Sequence, residues 1–217
     1  MNGILITFEG GEGCGKSTQA KLLSSWLKTL GYTTMLTREP GGTELAEKLR
    51  ELVVKGTQQL GIYTEMLIFM AARSDHWQQC IEPALNQGHI VICDRFHDST
   101  LVYQCMCGGC NTQLVNNLYL KITNGFYPDC TFILDIDPSV GLLRSITRHG
   151  NTDLRFESKS HAFHKKVRKH YQMLASTSSR YHLLDSSQLI EQLHQKIQAE
   201  VNQLLDRKNF HSKKASV

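Results

Sequence analysis

The sequence predicts an α/β fold in which a five-stranded parallel sheet is flanked by helices. Short apolar runs rich in β-branched residues alternate with stretches of helical periodicity, the pattern of strands joined by crossover helices. These runs are continuously apolar, as in parallel sheets that are covered on both faces. The first run leads into a glycine-rich loop and then a helical stretch, which is typical of a phosphate-binding loop.

Each element has its own signal in the chain. Five short apolar runs predict strands at residues 4–8, 33–37, 90–93, 131–136 and 181–184. Helical spacing of apolar residues predicts helices at residues 17–30, 44–54, 64–86, 111–123, 138–148, 156–175 and 188–205. Gly31 and Gly88 follow helical stretches, where glycine commonly ends a helix. Pro138 and Ser139, directly after Asp137, fit a helix start.

Length and composition are those of one globular domain. The chain has 217 residues, of which 41% are hydrophobic and 20% charged, with a formal net charge of +4. We place the domain at residues 1–207 and expect a disordered basic tail at residues 208–217, which are polar and aperiodic. The weak positive charge suits a small anionic substrate and does not indicate a nucleic acid partner.

The N-terminus and the apolar runs bear on location. No run approaches the roughly 20 apolar residues of a membrane helix, and residues 1–3 lead directly into the first strand. We therefore expect a cytoplasmic protein with no membrane partner. Its seven cysteines are then expected to be reduced thiols.

A complete phosphate-binding pattern, G-x-x-x-x-G-K-S, occupies residues 10–17. Its glycines let successive backbone N–H groups point at phosphate oxygens, and the positive end of the next helix adds to this attraction. The lysine is expected to reach the β- and γ-phosphates, and the serine hydroxyl to bind Mg²⁺. The predicted triphosphate-binding residues are Gly10, Gly11, Glu12, Gly13, Cys14, Gly15, Lys16, Ser17 and Thr18.

Three charged residues, Arg38, Asp94 and Arg95, follow the ends of predicted strands. Because the carboxyl ends of parallel strands form the ligand crevice of such sheets, we expect these side chains to converge beside the loop. Guanidinium groups offer paired donors to a phosphate monoester, and Asp94 is suited to hold Mg²⁺ through water. The combination predicts phosphoryl transfer, which depends mainly on positioning and charge neutralisation.

Phe69 and Arg73 lie four residues apart, on one face of a predicted helix. An aromatic ring can stack on a nucleobase, and a guanidinium can donate to a carbonyl oxygen at the edge of the base. The alternative is that Phe69 belongs to the hydrophobic core, since Leu67 and Ile68 beside it are apolar. On the residues alone, the core is the favoured interpretation.

Three segments point to one family: T-R-E-P-G-G-T at residues 37–43, M-L-I-F-M-A-A-R-S-D-H at 66–76, and D-R-F-H-D-S-T-L-V-Y-Q at 94–104. In this order they resemble the thymidylate kinase family, and the resemblance extends over about residues 3–205. It implies the P-loop nucleoside monophosphate kinase fold with a mobile lid. It also implies a homodimeric enzyme that phosphorylates dTMP to dTDP with ATP and Mg²⁺ in dTTP synthesis.

The resemblance implies roles at the phosphates and the metal. Lys16 and Arg95 are catalytic, and Arg38 and Arg95 bind the acceptor phosphate. Glu9 lies near the sugar 3′-hydroxyl and Mg²⁺. The implied metal ligands are Ser17, Asp94 and Glu9.

The resemblance implies further roles at the base and the sugar. With it, base stacking becomes the favoured role of Phe69, ahead of a role in the core. Phe69 stacks on thymine, Arg73 donates to its O4 atom, and Thr100 approaches N3. Tyr103 packs against the sugar and leaves no room for a 2′-hydroxyl. The implied substrate-binding residues are Glu9, Arg38, Phe69, Arg73, Arg95, Ser99, Thr100, Tyr103 and Gln104.

Glu12 occupies a loop position where some family members could place an arginine. An acid there cannot stabilise developing negative charge, so compensating cations are expected from elsewhere. The segment at about residues 144–157 resembles the lid of bacterial-type enzymes, although the usual Asp-Arg-x-Glu is Leu-Arg-Phe-Glu here. We assign catalytic roles to Arg148 and Arg155, closing over ATP and excluding water, with a surface role as the alternative. Arg144 either joins them or is an ordinary surface charge.

Cys105, Cys107 and Cys110 form a C-x-C-x-x-C pattern in a stretch that is usually glycine-rich in the family. Three thiols at this spacing could bind a soft metal. The possible fourth ligands, Cys130 and His97 among them, do not stand at motif spacing. We therefore expect reduced thiols near the substrate.

Three alternative functions differ in the residues that they require. The same fold could phosphorylate another nucleoside monophosphate or a broader range of pyrimidines, and Arg73 with Tyr103 favours dTMP. A nucleotide switch would carry Asn-Lys-x-Asp and Asp-x-x-Gly, which the sequence lacks. A nucleic-acid-binding ATPase would carry a basic patch with interleaved aromatic residues, which is also missing.

Overall fold

A computed structural model describes residues 1–55, 60–149 and 155–211, except for the side chains of Arg148 and His149. Its strands are β1 (Ile4–Gly10), β2 (Thr34–Arg38), β3 (Ile90–Asp94), β4 (Cys130–Asp135) and β5 (Tyr181–Asp185). They form one parallel sheet in the order β2-β3-β1-β4-β5. The predicted α/β fold is confirmed, and each strand lies within two residues of its expected bounds.

The helices of the described part cover both faces of the sheet. They are α1 (Lys16–Thr29), α2 (Glu44–Val54), α3 (Ile62–His76), α4 (Glu82–Asn86), α5 (His97–Thr100), α6 (Thr112–Thr123), α7 (Pro138–His149), α8 (His161–Ala175) and α9 (Ile190–Arg207). Two π-helical segments, Trp77–Ile81 and Leu101–Cys107, continue α3 and α5. The single helix predicted at residues 64–86 is therefore α3, a π-helical turn and α4 in succession. Such turns are frequent at functional sites.

The central position of β1 places the phosphate-binding loop in the crevice of the sheet. β1 pairs with β3 on one side and with β4 on the other, so the chain crosses in opposite directions from this strand. Ligands bind at the carboxyl edge of such a switch point. In the registers of the neighbouring strands, Phe8 lies beside Asp94 and Asp94 beside Arg38.

Two apolar clusters cover the two faces of the sheet. On one face, Ile6, Phe8 and Phe132 pack with residues of α1 and α9. On the other face, Leu5 and Val91 pack with Trp77, Leu85 and Tyr119. Each fully buried side chain of this size contributes about 1.5–3 kcal/mol, which explains why the strands are apolar on both faces.

One predicted helix boundary is wrong. The helix expected to begin at residue 156 begins at His161, because Ser160 caps it: the Ser160 Oγ atom accepts from the Phe163 N–H at 3.2 Å. The tail at residues 208–217 stays a prediction; within its described part, the ring of Phe210 stacks on Tyr32 at 6.0 Å, and the Phe210 carbonyl oxygen accepts from the Tyr32 hydroxyl. Residues 212–217 lie outside the described part.

The predicted helix signals are confirmed at three places. Gly31 and Gly88 follow helices with φ values of 86° and 78°, which favour glycine. At the start of α7, the Asp137 Oδ1 atom accepts from the Ser139 N–H at 2.9 Å. Among the described residues, no helix combines the length and apolar composition needed to cross a membrane.

Candidate active site

The phosphate-binding loop connects β1 to α1, and Lys16 to Thr18 form the first turn of that helix. Gly13 and Gly15 have φ values of 64° and 92°, which favour glycine. A Cβ atom on Gly13 would lie 1.8 Å from the carbonyl oxygen of Gly141, so the loop packs directly on α7. The Nζ atom of the buried Lys16 donates to the carbonyl oxygen of Gly11 at 2.7 Å. The ammonium group thus lies within the curve of the loop, where it can meet phosphate oxygens.

Ser17 and Asp94 lie side by side at the mouth of this loop. The Ser17 hydroxyl donates to the Asp94 carboxylate, and both line a cavity of about 320 Å³ together with Lys16, Arg38 and Arg95. Hydroxyl and carboxylate oxygens are ligands that Mg²⁺ accepts, so this pair fits the predicted metal site. No group of three or more His, Cys, Asp or Glu in residues 1–55, 60–149 and 155–211 is arranged to hold a metal. Mg²⁺ would accordingly need substrate phosphate and water oxygens as well, which is its usual behaviour with nucleotides.

Arg95 joins the loop to the rest of the site. Its Nη2 atom donates to Glu12 Oε2 at 2.8 Å, and its Nη1 atom to Ser99 Oγ at 3.2 Å. The Glu12 Oε1 atom accepts from the Tyr103 hydroxyl at 2.8 Å. Burial alone would raise the pKa of Glu12, but Arg95, Lys16 and the Tyr103 hydrogen bond hold it at about 2. Glu12 is therefore ionised, and its charge is balanced by Arg95.

A second cavity, of about 120 Å³, adjoins the first. Glu12 and Arg95 line both cavities. The predicted substrate-binding residues that line the second one are Phe69, Arg73, Arg95, Ser99, Thr100, Tyr103 and Gln104. The structure therefore brings most of the predicted acceptor residues together around one space beside the phosphate-binding loop.

The position of Phe69 bears on whether it stacks on a base or belongs to the core. Its side chain is only 8% exposed, yet it lines the acceptor cavity. Its helix neighbours Met66 and Met70 belong to an apolar cluster, whereas Phe69 is not a member of the clusters formed by the described residues. This position supports stacking on a base over a role in the core.

Arg73 is buried and fixed by several neighbours. Its Nε atom donates to Glu39 Oε2 at 2.7 Å and its Nη2 atom to Thr100 Oγ1 at 3.1 Å. The Glu39 Oε1 atom lies 3.2 Å from His76 Nδ1, and the His76 Nε2 atom lies 2.7 Å from Thr37 Oγ1. The side chains of Arg73 and Glu39 are 4% and 3% exposed. The guanidinium is thus held in one orientation at the wall of the cavity.

Glu9 has other partners than those predicted. Its side chain is fully buried, and Oε1 accepts from the N–H groups of Phe96 (2.8 Å) and Ser99 (3.3 Å). Oε2 accepts from Ser99 Oγ (2.6 Å) and the Tyr171 hydroxyl (2.9 Å). Burial and then the charge of Asp98 raise the pKa of Glu9 to about 7. Because these four bonds occupy the carboxylate, the geometry supports neither the predicted sugar contact nor the predicted Mg²⁺ contact.

Arg38 ends β2 and lines the loop cavity, as expected from its place in the sequence. Its Nη2 atom donates to Glu47 Oε2 at 2.9 Å, and both side chains are exposed. Arg50 of α2, which the sequence interpretation missed, lines both cavities and donates to the carbonyl oxygen of Pro40 at 3.3 Å. The sequence shows only that Arg50 shares a helix face with Glu47. It does not show that this face of α2 is turned towards the cavities.

The structure gives contacts for two of the three arginines considered for the lid, Arg155 and Arg144. The Arg155 Nη2 atom donates to Glu65 Oε2 at 2.6 Å, and Glu65 Oε1 accepts from Gln104 Nε2 at 2.9 Å. Arg148 lies in α7, but its side chain and residues 150–154 are outside the described part. The Arg144 Nη1 atom donates to the carbonyl oxygen of Ser186 at 3.2 Å. The catalytic roles of Arg148 and Arg155 stay predictions.

The three clustered cysteines have different surroundings. Cys105 and Cys110 are buried in an apolar cluster with Met66 and Met70, whereas Cys107 is half-buried. Burial raises the pKa of Cys105 and of Cys107 to about 11. Since the thiolate is the metal-binding form, these surroundings favour protonated thiols at neutral pH.

Two buried residues of the site had no assigned role in the sequence. Glu39 lies in the T-R-E-P-G-G-T segment, beside Arg38. The sequence does not indicate that its carboxylate pairs with Arg73. Tyr171 lies on the apolar face of α8 and reaches Glu9 with its hydroxyl. An aromatic residue on such a face is ordinarily a core residue, so no pattern could have singled it out.

Comparisons with known proteins agree on one family. A family model described as thymidylate kinase matches residues 8–197. A relative called thymidylate kinase from Chlamydia muridarum is 47% identical over 186 residues, covering 84% of this chain and 91% of the relative. One from Magnetococcus marinus is 42% identical over 203 residues, covering 93% and 96%. The crystal structure of thymidylate kinase from Ehrlichia chaffeensis has a TM-score of 0.74 at 34% identity, covering 93% of this chain and 99% of that one.

Proposed function

The chain belongs to the thymidylate kinase family, of bacterial type, and we propose that it transfers the γ-phosphoryl group of ATP to dTMP in the two adjoining cavities. The observation that carries this assignment is the position of Arg95. It lines both the cavity of the phosphate-binding loop and the cavity of Phe69 and Arg73. A donor site and an acceptor site thus meet at one guanidinium group.

The donor half is formed by the loop and the start of α1. Backbone N–H groups, the positive end of the helix and Lys16 hold the β- and γ-phosphates of ATP. Ser17 and Asp94 would hold Mg²⁺, which would supply charge neutralisation at these phosphates. These groups position the γ-phosphoryl group at the side of the loop that faces the acceptor cavity.

The acceptor half needs no general base. A phosphate monoester has a second pKa of about 6, so the attacking oxygen of dTMP is already ionised at neutral pH. Arg95 and Arg38 bind this phosphate and offset the repulsion between the two anionic reactants. The contribution of the protein is therefore orientation and electrostatic stabilisation.

Specificity for thymine rests on Arg73 in this account. Its buried guanidinium donates to the O4 atom of the base, while Phe69 stacks on the ring and Thr100 approaches N3. Cytosine has an amino donor in place of O4, which would meet the guanidinium donor to donor. Tyr103 packs against the sugar, and its bond to Glu12 fixes the ring that excludes a 2′-hydroxyl.

Arg148 and Arg155 are proposed to supply positive charge at the donor phosphates during transfer. Glu12 gives no positive charge to the loop, because its carboxylate is ionised and turned to Arg95. Arg155 would have to exchange its bond with Glu65 for a phosphate contact. This rearrangement is the conformational step that the lid assignment requires.

A homodimer through helix faces is part of the proposal. Tyr63 and Leu67 of α3 and Leu114 and Leu120 of α6 are 37–53% exposed, and α3 packs against α6. Apolar side chains gathered on adjacent helices mark an interaction surface. Leu67→Glu should convert the protein to a monomer in sedimentation equilibrium. Leu143→Glu, on an exposed site of α7, is the matched control and should leave the mass unchanged.

We also propose that the enzyme works in the cytoplasm and functions in dTTP synthesis. All seven cysteines are free thiols, which suits a reducing compartment.

A panel of acceptors tests the function. With saturating ATP and Mg²⁺, kcat/KM should be highest for dTMP and lower for dUMP, dCMP and UMP. Arg73→Ala should lower kcat/KM for dTMP more than kcat/KM for dCMP, so the preference for dTMP over dCMP should fall. Equal kcat/KM for dTMP and dUMP would favour a pyrimidine kinase of broader specificity. ATP hydrolysis that is stimulated by DNA and not by dTMP would contradict the assignment.

A further inference from the structure

Tyr171 of α8 is connected to Arg95 through a single intervening residue. The Tyr171 hydroxyl donates to Glu9 Oε2 at 2.9 Å and lies 3.0 Å from Ser99 Oγ. Ser99 Oγ donates to the same Glu9 oxygen at 2.6 Å, and it accepts from Arg95 Nη1 at 3.2 Å. The four side chains form one hydrogen-bonded group; they come from β1, from the residue after β3, from α5 and from α8.

The inner half of this group does not reach the substrate cavities. Glu9 is 0% and Tyr171 is 2% exposed, and neither lines the acceptor cavity or the loop cavity. Ser99 and Arg95 both line the acceptor cavity. The Tyr171 hydroxyl therefore acts on the acceptor cavity through Ser99, directly or by way of Glu9.

The hydroxyl of Ser99 has one proton, which decides its direction. When the hydroxyl donates this hydrogen bond to Glu9, the lone pairs of the Ser99 oxygen are free to accept from Arg95. The Glu9 carboxylate also receives two backbone N–H groups, from Phe96 and Ser99, which fix Oε1. The Tyr171 hydroxyl fixes Oε2, the oxygen that receives the Ser99 proton.

Arg95 depends on such support because its backbone is unusual. Its φ of 68° lies in the left-handed region, which a residue with a side chain rarely adopts. Its Nη1 atom has two acceptors, Ser99 Oγ and the carbonyl oxygen of Gly10 at 3.0 Å. If the Ser99 hydroxyl lost its fixed orientation, Arg95 Nη1 would keep only the carbonyl oxygen of Gly10 as a fixed acceptor.

We propose that Tyr171, together with Glu9, is a positioning residue that orders Ser99 and thereby orients Arg95 towards the acceptor phosphate. The inference rests on the proposed role of Arg95 as a ligand of that phosphate. It assigns the hydroxyl of Tyr171, and not only its ring, to the function of the site. The ring itself packs edge-to-face on Tyr103, with centroids 6.4 Å apart.

The test compares two ligands that differ only in the phosphate. Tyr171→Phe keeps the ring and removes the hydroxyl. Its dissociation constant for dTMP should rise about tenfold, the size expected for one misaligned hydrogen bond to a charged group, and that for thymidine should stay within about twofold. Calorimetric titration measures both. Tyr119→Phe is the control, because Tyr119 is equally buried and its hydroxyl donates to the backbone oxygen of Phe126 at 2.6 Å.

Arg95→Ala separates the inference from the function. It should weaken dTMP and spare thymidine, and Tyr171→Phe should add nothing further in the double variant. Unchanged dTMP affinity in Arg95→Ala would overturn the role of Arg95 and the inference with it. A large loss in Arg95→Ala with none in Tyr171→Phe would overturn the inference alone, as would equal weakening of dTMP and thymidine. If Tyr171→Phe does not fold, Ser99→Ala should show the same phosphate-selective loss, and a normal dTMP affinity there would overturn the inference.

Discussion

Replacing Glu39 by glutamine tests whether Arg73 is held by a buried ion pair. The change keeps the shape of the side chain and removes its charge. In the native structure the Glu39 carboxylate accepts from Arg73 Nε at 2.7 Å and lies 3.2 Å from His76 Nδ1. Glu39→Gln would leave the guanidinium buried without its counter-charge.

The magnitude follows from the burial of the pair. Removing one partner of a buried ion pair costs about 3–5 kcal/mol of unfolding free energy, because the other charge is left uncompensated. Glutamine retains one acceptor oxygen, so we expect the lower end, about 3 kcal/mol. The guanidinium also loses its fixed orientation, and kcat/KM for dTMP should fall by about tenfold or more.

Urea unfolding and steady-state kinetics measure the two effects. The control is Glu51→Gln on α2, which removes an exposed pair with Lys55 whose side chains are 57% and 63% exposed. Such pairs contribute less than about 1 kcal/mol. If Glu39→Gln were as stable and as active as Glu51→Gln, Arg73 would not depend on this carboxylate and the account of base recognition would be wrong.

Two buried carboxylates and the lid give the remaining predictions. The pKa of Glu12 falls from 4.5 to about 2 on folding, so its ionised form adds up to about 3 kcal/mol above pH 4.5, and this is lost as the pH falls towards 2. Urea titrations should show that Glu12→Gln lacks this loss; an identical pH profile would contradict the pairing with Arg95. The pKa of Glu9 rises from 4.5 to about 7, so the wild type should lose up to about 3 kcal/mol relative to Glu9→Gln as the pH rises from 4.5 to 7. Parallel stability curves for these two proteins would show that Glu9 titrates normally. Arg148→Ala or Arg155→Ala should lower kcat by about 10²-fold with smaller effects on dTMP binding, and near-normal kcat in both would remove the lid assignment.

The fold was predictable because its signals are local. Apolar β-branched runs mark strands that are buried on both faces, and glycines with positive φ mark loop and helix ends, so Gly13, Gly31 and Gly88 are readable from the chain. The helix predicted from residue 156 began too early because the Ser160 cap competes with a helical pattern that continues upstream of it. The contact between Phe210 and Tyr32 joins residues 178 apart, and no local pattern contains such a contact.

The site was predictable where residues follow strand ends and unpredictable where side chains turn inward. Arg38, Asp94 and Arg95 were expected at the crevice because parallel strands end together. Glu9 also ends a strand, but its direction is set by the Tyr171 hydroxyl and by backbone N–H groups of a distant turn. Direction depends on packing between elements, and the sequence does not specify that packing locally.

If a triphosphate donor and a thymine nucleotide acceptor meet at Arg95, the phosphoryl group passes directly from one to the other. In a rapid-quench experiment with ATP labelled in its γ-phosphoryl group, the label should appear in the β-phosphoryl group of dTDP. Transfer to UMP should be slower by about 10²-fold or more, since Tyr103 leaves no room for the 2′-hydroxyl of its ribose. Label that is released as inorganic phosphate whether or not dTMP is present, or that is transferred equally to dTMP and UMP, would contradict the assignment as a dTMP kinase.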